Sequence, residues 1–173
     1  MKSFFVRLPA KRPHSGLFAT LTKSSRLLLA AFMLTISVSS AIAAEFQIAD
    51  TNGTIHTLEK YLGKWVLVNF WATWCPPCLE ETPEFSALYR SRKNNDLMVF
   101  GIAVDSADPK RVLEFAEKQK MSYPLILGDD NVTSQFGKIH ALPTTFLYDP
   151  TGKKVLHRIG PLTRSELEKL IGK

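Results

Sequence analysis

The chain has 173 residues, 45% of them hydrophobic and 22% charged, which suffices for one ordinary hydrophobic core and excludes a disordered polyelectrolyte. Its formal net charge of +6 lies wholly in an N-terminal segment: positions 1–26 hold six basic residues and no acid, and 44–173 balances sixteen Lys and Arg against sixteen Asp and Glu. With that segment set aside, the charge balance gives no reason to expect nucleic acid or an acidic membrane surface as a partner.

Taken from the start, the basic stretch is followed by an apolar run over 27–38, broken only by Thr35 and Ser37, and then by Ala41 and Ala43 at the spacing of a signal-peptidase site. This predicts a secretory signal peptide over 1–43 and a mature domain over 44–173, exported to the periplasm. The alternative is a retained membrane anchor, because positions 27–44 span eighteen residues, the lower edge of what crosses a bilayer.

From Glu45 onward, short β-forming runs alternate with longer helical ones, which predicts an α/β domain with a mixed central sheet flanked by helices. Positions 46–48 and 55–57 flank a turn at 50–53 and read as an N-terminal hairpin. Thr57 is placed to cap a short helix over 58–62 that Gly63 ends. The run 65–71 is apolar but for Asn69, as expected of a central strand buried on both faces. A helix over 75–92 would bury Leu79, Phe85, Leu88 and Tyr89, and 97–104 is a second buried strand. Asp108 before Pro109 caps a helix that reaches about Lys120 with Val112, Phe115 and Ala116 inward. A short strand at 123–127 and a helical turn at 131–136, stopped by Gly137, come next. A hairpin joins 144–148 to 154–159, and Thr163 with Glu166 forms a capping box that opens the last helix, to about Ile171.

The chain's two cysteines, Cys75 and Cys78, sit where the central strand feeds a helix. A disulfide closing so short a loop removes little unfolded-state entropy, so the pair reads as reactive rather than structural. The free amides at the helix start and the helix dipole are expected to favour a thiolate on Cys75, and three-residue spacing brings Cys78 onto the same face to close a small disulfide ring. Exchange needs a thiolate to attack a client disulfide and a second thiol to resolve the mixed disulfide; these roles fall to Cys75 and Cys78 respectively. A structural zinc site would need four ligands, and neither a second cysteine pair nor a close histidine pair exists. Trp74, directly before Cys75, offers a flat aromatic contact to protein clients.

The stretch 66–78, Val-Leu-Val-Asn-Phe-Trp-Ala-Thr-Trp-Cys-Pro-Pro-Cys, resembles the active-site strand and loop of thioredoxins in the form used by exported proteins of the TlpA/ResA type, and the likeness covers nearly all of 44–173. It implies a thioredoxin-like fold elaborated by the N-terminal hairpin and by the added helix near 109–120. Pro83 resembles the proline that kinks the active-site helix. Positions 142–147 resemble the segment whose cis-proline, here Pro143, faces the disulfide while the backbone of Leu142 pairs with an extended client. Trp74, Pro76, Pro77, Leu142 and Pro143 are therefore the expected client-binding positions. Thioredoxins similar to this chain usually place a buried aspartate where Asn69 stands. Glu81 matches a glutamate of the TlpA/ResA type and is expected to exchange the proton of Cys78 in its stead.

The resemblance implies reduction of client disulfides, electrons delivered by a membrane protein resembling DsbD or CcdA, a monomeric state, and no cofactor or metal beyond the redox-active disulfide. Cytochrome c maturation is one candidate setting, but specialised cytochrome-maturation members tend to have glutamate where this chain has Thr144, so copper-protein thiols or a broader range of clients are equally open. Three alternatives stand beside this reading: the oxidising direction, a Cu(I) chaperone using both sulfurs and a histidine such as His140, and a thiol peroxidase, which the family pattern disfavours because Ala72 occupies the position of its threonine.

Overall fold

A seven-residue strand, Trp65–Trp71, buried throughout except at the half-buried Trp65, forms the middle strand of the protein, as the near-continuous apolar run requires. The computed structural model describes residues 46–104 and 108–172; the expected signal peptide lies outside them. In chain order the elements are β1 (Gln47–Ala49), β2 (Ile55–Thr57), a 3-10 turn (Leu58–Tyr61), β3 (Trp65–Trp71), α1 (Pro76–Arg92), β4 (Leu97–Ala103), α2 (Pro109–Lys118), β5 (Leu125–Leu127), α3 (Asp130–Ser134), β6 (Thr144–Tyr148), β7 (Lys154–Ile159) and α4 (Arg164–Ile171).

β1 and β2 pair as a separate antiparallel hairpin, and the other strands form one mixed sheet in the order β5-β4-β3-β6-β7. β4 runs parallel to β3 and β5 parallel to β4, whereas β6 is antiparallel to both β3 and β7. Alternation along β3 sends Leu67 and Trp71 to a core shared with Phe85, Leu88, Val112 and Leu167, and Val66, Val68 and Phe70 to a second core with Phe46, Phe100, Phe136 and Phe146. Asn69 shares the parity of Leu67 and Trp71 and thus points toward α1. Each large side chain so buried stabilises the fold by about 1.5 to 3 kcal/mol, so the polar Asn69 sits in a place where an apolar residue would be the stronger choice for packing.

The caps expected at Asp108 and Thr163 form, and Asp129, which the sequence reading did not single out, caps α3. Asp108 Oδ1 accepts the amide of Lys110 at 2.9 Å, Asp129 Oδ1 accepts that of Val132 at 2.8 Å, and Thr163 and Glu166 complete a reciprocal capping box. The cap expected at Thr57 needs correction. Thr57 is extended and makes no side-chain cap, and the segment after it is a 3-10 turn, too short for the four free amides that reward an α-helical cap. β5 starts at Leu125 rather than at 123, because Pro124 uses its carbonyl to accept the amide of Gly101 while Tyr123 turns into the core. α2 ends at Lys118, closed by Lys120 in the left-handed region (φ 54) and by the bond from Met121 N–H to Ala116 C=O at 3.0 Å. Among the described residues no helix is long and apolar enough to cross a membrane.

Candidate active site

β3 delivers the chain to Cys75, which takes the N-cap position of α1, and Cys78 follows one turn later; the two are joined as a disulfide with Cα atoms 5.4 Å apart. Pro76 and Pro77 begin the helix, where proline is well tolerated because the first amides have no intrahelical partner. They also remove those amides. The preference for a Cys75 thiolate thus rests on the dipole of α1 rather than on N–H donors at its first two positions.

The two sulfurs differ in access. Cys75 lines an open cleft of about 1040 Å³, together with Trp74, Pro76, Pro77, Ile139, His140 and Leu142; Cys78 is fully buried and does not line it. Trp74 is 64% exposed beside the disulfide. Leu142 and Pro143 are joined by a cis peptide bond, with Leu142 on the cleft wall and Pro143 buried beneath. The structure thus gathers Trp74, Cys75, Pro76, Pro77 and Leu142 on one surface. The remaining wall, formed by Val104, Gly128 and the 129–141 stretch around α3, was not legible in the sequence, since no local pattern tells which loop returns to a strand end.

Glu81 is only 4% exposed, one turn beyond Cys78 on α1. Its carboxylate is held at both oxygens: Asn69 Nδ2 donates to Oε1 at 2.7 Å, and the amide of Leu162 donates to Oε2 at 3.1 Å. Asn69 also donates to Thr145 Oγ1 at 3.1 Å, so one amide ties α1 to β3 and β6. Burial pushes the Glu81 carboxyl up to about 7; the two donors pull it back and nearby Glu84 adds to the rise. A carboxyl poised there is half ionised at neutral pH and can take or give a proton. Sequence reasoning assigned Asn69 no part beyond its inability to carry a proton. A lone amide in an apolar run was the signal that a buried polar partner existed; nothing local signals Leu162, whose backbone provides the second donor.

His140 lies on the cleft wall, and His157 stacks on Phe146 with centroids 4.5 Å apart. His56 is buried between Asp50 Oδ2 at 3.0 Å and Tyr61 Oη at 2.5 Å, a packing role in the hairpin. Among the described residues no three His, Cys, Asp or Glu side chains are placed to hold a metal ion.

Comparison with known proteins places the chain in a family. Residues 40–156 match the AhpC/TSA family. The chain is 35% identical over 128 residues to the thiol-disulfide oxidoreductase ResA of Geobacillus thermodenitrificans, covering 73% of this chain and 72% of that one. It is 35% identical over 124 residues to ResA of Bacillus subtilis, covering 71% and 68%. Among solved structures it is similar to a thiol:disulfide interchange protein of the thioredoxin family from Chlorobium tepidum, with a TM-score of 0.66, 26% identity, and coverage of 73% of this chain and 90% of that one.

Proposed function

The chain belongs to the AhpC/TSA family and, within it, to the thioredoxin-like thiol-disulfide oxidoreductases of the ResA kind; on that premise we propose that it is an exported reductant of protein disulfides in which Cys75 attacks, Cys78 resolves and Glu81 moves the proton. The observation that carries this reading is the asymmetry of the pair: Cys75 alone lines the cleft, and Cys78 is buried one helical turn from a carboxyl poised near 7.

The Cys75 thiolate attacks one sulfur of a client disulfide, forms a mixed disulfide and expels the other client sulfur as a thiolate. Cys78 passes its proton to ionised Glu81, and its thiolate attacks the Cys75 sulfur. The second client thiolate leaves and the Cys75–Cys78 disulfide forms, so two electrons have passed to the client. Trp74, Pro76, Pro77, Leu142 and Pro143 position the client strand. A membrane protein resembling DsbD or CcdA returns two electrons. The setting is the periplasm, after removal of the 1–43 leader or with it kept as an anchor, and the clients are proteins of cytochrome c or copper-site maturation.

Alkylation and trapping test this reading. Cys78→Ser should accumulate mixed disulfides with clients and Cys75→Ser should abolish reduction; Glu81→Gln should slow exchange near neutral pH and alter the pH profile of Cys75 alkylation, while Glu80→Gln does neither. Mixed disulfides trapped through Cys78 in Cys75→Ser would reverse the assignment. A redox potential as oxidising as that of dedicated thiol oxidases, about −120 mV, would reverse the direction.

A further inference from the structure

An amide in the middle of an apolar strand needs a reason. Asn69 is 1% exposed and points toward α1 from the centre of β3, where an apolar side chain would pack better. Two bonds hold it there: Nδ2 donates to Glu81 Oε1 at 2.7 Å and to Thr145 Oγ1 at 3.1 Å. Both hydrogens of the NH2 group are thereby spent. An ionised carboxylate only accepts, so the amide has a single orientation that serves both partners.

The strand register explains why Thr145 is the anchor. Asn69 stands opposite Thr145 on β6 and opposite Gly101 on β4, and glycine has no side chain to hold an amide. Thr145 is 0% exposed and lies two residues beyond the cis-proline. At the other oxygen of Glu81, the Leu162 amide donates at 3.1 Å. A carboxyl tied at each oxygen to a different element is fixed on the helix turn that follows Cys78, and it keeps unused lone pairs to receive a proton. Around it are Cys78 and Glu84 on α1, the latter accepting the Arg164 amide at 2.7 Å, and Tyr123 before β5, whose hydroxyl bonds the Thr82 side chain. Asn69, Thr145 and Leu162 bring no charge. Against burial and Glu84, the Leu162 and Asn69 donors favour the ionised form, and of these only Asn69 donates through a side chain.

We propose that Asn69, anchored by Thr145, is a positioning residue of the exchange reaction that holds the Glu81 carboxyl ionised and aligned for the proton of Cys78. It acts through Glu81, and this role rests on the proton transfer assigned to Glu81 above. In that transfer the Cys78 S–H bond breaks, an O–H bond forms on Glu81, and the Cys78 thiolate keeps the electron pair with which it attacks the Cys75 sulfur. A polar knot that only fixed the strand register would serve the sheet equally at every pH, whereas an amide that keeps Glu81 ionised matters only where Glu81 titrates. Loss of a hydrogen bond to a charged group moves a carboxyl up by about one to two pH units. With Glu81 starting at about 7, its ionised fraction at that pH then falls about 5- to 50-fold.

Single-turnover reduction of a peptide disulfide from pH 5 to 9, read at the Cys78-dependent step, tests this role. Asn69→Leu, close to isosteric, should move the midpoint of that step up by about one to two pH units, slow it about 5- to 50-fold at pH 7 and approach the wild-type rate toward pH 9. Thr145→Val keeps the β-branched shape and should move the midpoint the same way by less; Thr145→Ser should leave it in place. Slowing that is equal at every pH would make Asn69 a structural residue and overturn the proposal, as would a midpoint shift that persists when Asn69→Leu is combined with Glu81→Gln. An unmoved midpoint in Thr145→Val would overturn the anchor. The carboxyl carbon resonance of Glu81, titrated in the oxidised wild type and in each variant, reads the ionisation without any exchange reaction. If it does not move in Asn69→Leu, the proposal fails whether or not Glu81 carries the proton. If it moves while the exchange rate follows no ionisation of Glu81, the proton role of Glu81 fails, and with it the part in exchange given to Asn69.

Discussion

Replacing Glu81 by glutamine should change how stability responds to pH, in a direction and window set by the structure. Burial raises this carboxyl from 4.5 to about 7, so the fold favours the protonated acid. Between those values the folded chain keeps a proton that the unfolded chain has released; the unfolded state binds fewer protons, and stability falls as pH rises. The contribution is fully present below about 4.5 and lost above about 7, and at 1.36 kcal/mol per pH unit it amounts to roughly 3 kcal/mol. Glutamine is neutral throughout and removes that slope. It cannot accept from both Asn69 and Leu162, since its NH2 group must face one donor, at a pH-independent cost of about 1 to 3 kcal/mol. Urea unfolding of the oxidised proteins from pH 4.5 to 8.5 should therefore show the variant gaining about 3 kcal/mol on the wild type across the range. Differencing cancels every other titrating group. Parallel curves would refute the claim that Glu81 is buried with a raised pKa.

Asn69→Asp would set a second carboxylate where an amide now donates at 2.7 Å, so the two acids would share one proton and the upper apparent pKa of the pair would move above that of Glu81 alone. The same unfolding series should then fall more steeply and to higher pH than the wild type, and an unchanged profile would show that the strand position does not face Glu81. Lys120→Gly relieves a left-handed conformation (φ 54) and should stabilise by about 0.5 to 1 kcal/mol after the greater freedom of glycine in the unfolded chain is allowed for. A calorimetric Tm a few degrees higher would agree, and a lower one would mean that the Lys120 side chain contributes more to the folded state than its backbone costs.

Where chemistry is local, the sequence was sufficient. The capping box at Thr163 and Glu166, the proline after Asp108 and the Cys-Pro-Pro-Cys turn each put cause and effect within four residues, and each is found as expected. Thr57 misled because a capping residue is also a good strand residue, and here the strand took it. The cleft wall and the second donor to Glu81 depend on pairings far apart in sequence: Leu162 reaches Glu81 across 81 positions, and only the order of β6, β7 and α4 determines that meeting. The α/β class followed from alternation of periods, and the central place of β3 from a run that is apolar but for Asn69. The apposition of Asn69, Thr145 and Gly101 needed the register of three strands.

Moving the buried acid from strand to helix changes what it is attached to. An acid at position 69 would be fixed by the sheet, independent of the client. Glu81 instead shares α1 with both cysteines and takes its second donor from the loop between β7 and α4. That loop is tied at its other end to the cis-proline, because Gly160 donates its amide to the Pro143 carbonyl at 2.8 Å and Leu162, two residues on, donates to Glu81. Gly160 has φ 97, a conformation that lets the chain turn between the two anchors within three residues. The cis-proline beneath the cleft and the buried acid are thus joined by one short strap. A displacement at Pro143 would lengthen the bond that stabilises ionised Glu81, and losing a donor to the charged form raises a carboxyl further. On the proposed mechanism, client contact would reach the proton affinity of Glu81 through the two backbone amides of this strap, Gly160 and Leu162.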